Sequence, residues 1–85
     1  MDNRMYGFLK TLRRERHDGR DCFLYVETEG EKSTNNDLWQ ELRKDGGVVI
    51  LKYDLRMLQG NFYTDYLFTF ADESIGDAFN TMLDL

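Results

Sequence analysis

Residues Val48 to Ala71 constrain this chain more than any other stretch. They read as two extended apolar runs separated by Gly60-Asn61, and Gly beside Asn between such runs signals a tight β-hairpin. With those two residues at the tip, Gln59 faces Phe62, Met57 faces Thr64, Leu55 faces Tyr66, Tyr53 faces Phe68 and Leu51 faces Phe70. Side chains alternate along a strand, so Met57, Leu55, Tyr53, Leu51 and their partners share one face. The opposite face carries Lys52, Asp54 and Arg56, with Arg56 matched to Asp65. A slip of one residue would scatter both patterns, so the pairing is strongly specified. The apolar face is expected to form the floor beneath the helices.

An 85-residue chain of 41% hydrophobic and 32% charged residues implies one soluble globular domain, residues 1–85, with a modest core. No apolar run is long enough to cross a membrane, and no basic-then-apolar leader is present. Cys22 is the single cysteine, so a reducing, cytoplasmic setting is expected. The net charge of −5 is unevenly spread. Residues 1–20 hold six Lys/Arg against three Asp/Glu, and the remainder holds five against thirteen. An acidic body disfavours nonspecific nucleic-acid binding.

Residues 4–16 support two readings. Met5, Phe8, Leu9 and Leu12 lie on one helical face, with Asp2 and Asn3 at the start and Arg13, Arg14, Arg16 and His17 at the end suiting the helix dipole. Alternatively, Asp18-Gly19 is a hairpin turn that pairs Leu12 with Tyr25, Lys10 with Glu27 and Leu9 with Thr28. The strand reading is taken here. Residues 21–28 form a strand rich in aromatic and β-branched types. A helix follows at about 35–44, capped by Thr34 or Asn36, stopped by Gly46 or Gly47, and facing inward through Leu38, Trp39 and Leu42. A last helix spans Ser74 to about Leu83, with Ser74 and Asp77 as a capping-box variant and Ile75, Ala78, Phe79, Met82 and Leu83 as its buried stripe. Strand–strand–helix thus occurs twice.

The expected fold is α+β: a two-layer ββαββα domain whose four-stranded, mainly antiparallel sheet carries two helices on one face. The alternative makes residues 4–16 a helix on a three-stranded sheet. The sheet is expected to contribute Leu9, Leu24, Val26, Leu51, Tyr53, Leu55, Tyr66, Phe68 and Phe70 to the core.

Candidates for chemistry are sparse. One His (His17) and one Cys (Cys22) do not make a structural zinc site, so no metal and no cofactor is expected. Gly46-Gly47 follows a helix instead of preceding one, so it is no phosphate cradle. Glu27, Glu29, Glu31, Asp72, Glu73 and Asp77 form an acidic surface, and nothing in the sequence marks them for acid–base catalysis. The interaction candidates lie on the first hairpin. Tyr6, Phe8, Phe23 and Tyr25, with Lys10 and Arg14, are expected on the sheet face away from the helices, uncovered. Arg13, Arg14, Arg16 and Arg20 form an arginine-rich tip suited to phosphates or carboxylates.

These features imply a non-enzymatic protein-interaction module, docking onto another protein or forming a homodimer. A sharper form makes it an acidic inhibitor or regulator of a nucleic-acid-handling protein, acting as a nucleic-acid mimic through a continuous acidic stripe. The alternative is a single-stranded nucleic-acid binder that stacks bases on the four aromatics. No membrane partner is expected.

Overall fold

The computed structural model describes residues 3–83. The order is α1 (Asn3–Lys10), β1 (Arg13–His17), β2 (Arg20–Thr28), α2 (Thr34–Lys44), β3 (Val48–Leu58), β4 (Asn61–Phe70) and α3 (Glu73–Leu83). The sheet is four-stranded and antiparallel throughout, in the order β1-β2-β4-β3. It is an α+β fold, with all three helices feeding one core on one face of the sheet.

Residues 4–16 divide between the two readings. The first half is the helix α1, which buries Phe8 and Leu9; Asp2 lies outside the described residues. The Thr11 and Leu12 amides donate back to the Phe8 and Leu9 carbonyls and close the helix in a tight turn. The second half is β1, a strand of five polar residues. Its register, Arg13 opposite Leu24 and His17 opposite Arg20, is the one set by the Asp18-Gly19 turn. Both turn residues have positive φ, 52° and 78°, as a hairpin turn matching the strand twist requires. The ladder stops at Arg13 because Leu12 and the helix before it are drawn into the core, so Lys10 and Leu9 never reach Glu27 and Thr28.

The second hairpin turns one residue earlier than expected. Gln59 (φ 52°) and Gly60 (φ 80°) occupy the tip, and Leu58 pairs with Asn61. Met57 therefore faces Phe62, Leu55 faces Thr64 and Tyr53 faces Tyr66. Each partner has moved by two positions, which preserves the face of every side chain. An irregularity between Ile50 and Lys52 then shifts the register by one, so that Ile50 and Val48, where Tyr53 and Leu51 were expected, sit opposite Phe68 and Phe70. It leaves Leu51 outside the ladder as a bulge. Arg56 still meets Asp65, now on the diagonal, with both guanidinium donors on the carboxylate at 2.7 and 2.9 Å.

The helices close as their sequences dictate, with two caps reassigned. Ser33, not Thr34 or Asn36, caps α2, its Oγ accepting from the Asn36 amide at 3.1 Å. At the other end Gly46, at φ 69°, lets its own amide and that of Gly47 satisfy the last carbonyls. Asp72, not Ser74, caps α3, accepting from the Ser74 amide and hydroxyl.

The sheet face chosen for the core differs from expectation. Phe23 pairs with Phe68 and Tyr25 with Tyr66, so these aromatics share a face with the helices. The core is Phe8, Leu9, Phe23, Tyr25, Leu38, Trp39, Phe68, Phe70 and Phe79. Phe23 lies within 5.1–5.8 Å of the Phe68, Phe70 and Phe79 rings, and Trp39 within 4.9–5.1 Å of Tyr25, Tyr66 and Phe68. These are the tilted and edge-on contacts that aromatic rings favour. Leu24 and Val26, expected inward, lie on the far face, where Leu24 pairs with Leu67 and Val26 is exposed. On the same far face Cys22, Leu67 and Thr69 are buried. In α3, Phe79 is buried while Ile75 and Ala78 are exposed; the side chains of Met82 and Leu83 lie outside the described residues.

Candidate functional site

The helices pack over β2, β4 and the first residues of β3, where Val48 and Ile50 join the core, but leave the rest of β3 uncovered. Trp39 of α2 sits over the rings of β2 and β4, and Arg43, one turn on, reaches outward across them. Its guanidinium lies 5.7 Å from the Trp39 ring and 5.0 Å from the Tyr66 ring, and donates to the Tyr66 hydroxyl at 3.4 Å. Beyond Arg43 no described residue shields this part of the sheet. Tyr53, Leu55, Met57 and Phe62 are 62%, 76%, 68% and 55% exposed. They stand next to one another on one face, since Met57 pairs with Phe62 and the three β3 residues alternate along the strand. Tyr53 and Leu55 were expected as core floor. They are instead an open apolar surface, because the tip half of the long second hairpin runs on past the helices: along β4, Phe70 and Phe68 at the base are buried and Phe62 at the tip is exposed.

A groove of about 360 Å³ runs between Arg43 and this strand, lined also by Ile50, Tyr53, Leu55, Thr64 and Tyr66. It joins the buried core to the exposed patch. β3 also lies at the sheet margin, with one row of backbone N–H and C=O groups unpaired within the sheet. The opposite margin, β1, reads Arg-Arg-Glu-Arg-His and is only five residues long. Short, charged edges resist pairing with another chain, and long apolar edges invite it.

The first-hairpin candidates divide differently. Phe8, Phe23 and Tyr25 are 2%, 1% and 6% exposed, and Tyr6 packs edge-on against Phe79 with Lys10 above its ring. They are core and its rim, so they offer no stacking platform for bases. The arginines of the tip are locally partnered: Arg13 with Glu15, Arg16 with Asp21 and the Gly19 carbonyl, Arg20 with Glu73, and Arg14 with Asn80. Such exposed pairs contribute little stability, but they neutralise the tip.

The acidic residues fall into two groups. Asp72, Glu73 and Asp77 sit at the start of α3, where Glu73 meets Arg20 at the start of β2. Glu27, Glu29 and Glu31 sit at the other end of β2, where Glu27 accepts from Gln40 at 2.7 Å. From Arg20 to Glu27 the strand covers about 23 Å, so no continuous stripe forms. Glu27 and Glu31 act on the Tyr25 hydroxyl, which donates to Asn36 Oδ1. Burial first, then these two carboxylates, push its pKa up to about 12. Asn36 in turn donates to the Glu31 carbonyl at 2.8 Å, tying the loop before α2 to the sheet.

Cys22 is buried, and burial pushes its thiol pKa up, away from the reactive thiolate. His17 is exposed at the first turn beside Asp18. Among the described residues no group of three or more His, Cys, Asp or Glu could hold a metal ion, and no helix is long and apolar enough to cross a membrane. The β3 surface is the site missed in the sequence. Its signal was the excess of apolar residues in the second hairpin over what two short helices can cover. No family model, no curated protein and no solved structure matches this chain.

Proposed function

We propose that this protein is a non-enzymatic protein-interaction module whose working surface is the apolar face and free edge of β3. One observation carries the reading: Tyr53, Leu55 and Met57 on the marginal strand β3, with Phe62 beside them on β4, are contiguous and each more than half exposed. Small domains keep their largest side chains from water where they can, so a cluster of this kind marks a binding surface. Aromatic residues and methionine are also the types enriched at interface centres. The narrower role, an acidic inhibitor of a nucleic-acid-handling protein, belongs to this proposal only as a choice of partner. The divided acids give it no mimicking stripe, so its docking would run through β3.

The test places a photo-reactive benzoylphenylalanine at position 55 or, as control, at position 13 on the charged edge, in cells making the protein. Irradiation should trap a discrete adduct from position 55 and little from position 13. Equal yields at the two positions would overturn the proposal.

A further inference from the structure

We infer that the occupant of the β3 surface is a second copy of this chain, paired antiparallel through β3 about a two-fold axis at Leu55. This rests on the reading of β3 as a docking surface and adds its partner and register. In a two-residue hairpin the residues flanking the turn, Leu58 and Asn61, exchange backbone hydrogen bonds, and pairs alternate from there. Lys52, Asp54, Arg56 and Leu58 therefore turn their backbone groups toward β4. Tyr53, Leu55 and Met57 turn theirs to the open edge, where a second strand would bond to them.

The regular part of β3 is Lys52–Leu58, between the irregularity after Ile50 and the turn. Its midpoint is Leu55. A two-fold there sets Leu55 against its own copy and Tyr53 against Met57 of the other chain, twice. These hydrogen-bonded pairs form one apolar layer beside the groove lined by Arg43, Tyr53 and Leu55. On the far face Asp54 meets Arg56 of the other chain, twice, at non-hydrogen-bonded positions where side chains come closest. Neighbouring registers fail on charge or on backbone. A two-fold at Asp54 opposes Asp54 to itself and Lys52 to Arg56. A two-fold at Arg56 opposes two arginines. A two-fold at Tyr53 runs the ladder into the bulge at Leu51. Within one chain Asp54 faces Asp65 across the hairpin, Lys52 reaches Asp54 at 3.7 Å and Arg56 holds Asp65 at 2.7 and 2.9 Å, so across the two-fold each Arg56 would bridge its own Asp65 and the facing Asp54. The isologous contact closes, and the two sheets become one of eight strands with no β3 edge left open.

Sedimentation velocity across the micromolar to millimolar range tests this with the intact chain and two charge reversals. Wild type should sediment as a dimer. Asp54→Lys alone sets the introduced ammonium against Arg56 of the other chain, and Arg56→Glu alone sets the introduced carboxylate against Asp54 of the other chain. Each should weaken the dimer by about tenfold or more. An equimolar mixture of the two variants restores both attractive pairs and should recover a mixed dimer. Circular dichroism checks that each variant is folded; if Arg56→Glu fails to fold, Asp54→Lys with its partner Arg56→Gln replaces it and should recover the dimer in part. A monomeric wild type, or a dimer indifferent to both reversals, overturns the inference. A heterologous adduct from position 55 alongside a monomeric wild type would overturn the dimer and leave the docking surface standing, whereas no adduct would remove both.

Discussion

Phe23→Ala and Val26→Ala, three positions apart on β2, report on opposite faces of the sheet and so test which face holds the core. Phe23 is 1% exposed and lies among three other phenylalanine rings. Truncation removes a whole ring and leaves a cavity that the flanking strands cannot collapse, because Phe23 sits in the ladder between β1 and β4. Such changes cost about 3–5 kcal/mol. The whole domain is expected to be stable by only about 4–13 kcal/mol, so the variant would lose a large share of its stability. Val26 is 40% exposed on the far face, and its truncation should cost under about 1 kcal/mol. Urea unfolding followed by circular dichroism measures both, at one fixed protein concentration because association would add to apparent stability. With a slope of about 1 kcal/mol per molar for a domain of this size, Phe23→Ala should move the midpoint down by about 3 M or more. Comparable losses from the two variants would refute the assignment of the core to the Phe23 face.

The turn and the latch at α2 give two further tests. Gln59 adopts φ 52° at a position that favours Asn or Gly, so Gln59→Asn should stabilise by about 0.5 kcal/mol. Asn61 is a strand residue paired with Leu58, and Asn61→Val should change stability by less than about 0.5 kcal/mol; a loss well beyond 1 kcal/mol would place Asn61 in the turn. The Tyr25 hydroxyl titrates near 12 in the folded chain, raised by burial and by Glu27 and Glu31, against about 10 when unfolded. A raised folded pKa gives stability that is complete below pH 10 and is lost as pH rises from 10 toward 12. Full transmission would be about 2.7 kcal/mol; water near the hydroxyl screens this, and a loss of about 1 kcal/mol is expected. Tyr25→Phe should remove that part of the alkaline loss, and an unchanged pH profile would refute it.

Local chemistry is what the sequence made legible. Asp18-Gly19 carries a turn that sets its own register, and the Arg56–Asp65 match survives the correction of the second turn. The stripe of Leu38, Trp39 and Leu42 names the inner face of α2. Residues 4–16 resisted a single reading because both were half right: the helical face of Met5, Phe8, Leu9 and Leu12 is real, and so is the strand that follows.

The sequence by itself determined most of the elements, which strands form hairpins and the α+β class, because turn residues and side-chain periodicity act over a few positions. Only the tertiary structure decided which face of β2 turns inward. Cys22, Leu24 and Val26 are as apolar as Phe23 and Tyr25, and the pairing of β2 with β4, more than forty residues away, put the aromatic row beside Phe68. It also decided that the cover over the sheet reaches no further than Arg43 and leaves Tyr53, Leu55 and Met57 exposed. Alternation assigns a residue to a face of its strand, but how far a helix reaches across the sheet depends on where distant strands lie, and that leaves the apolar half of the second hairpin as the surface open to a partner.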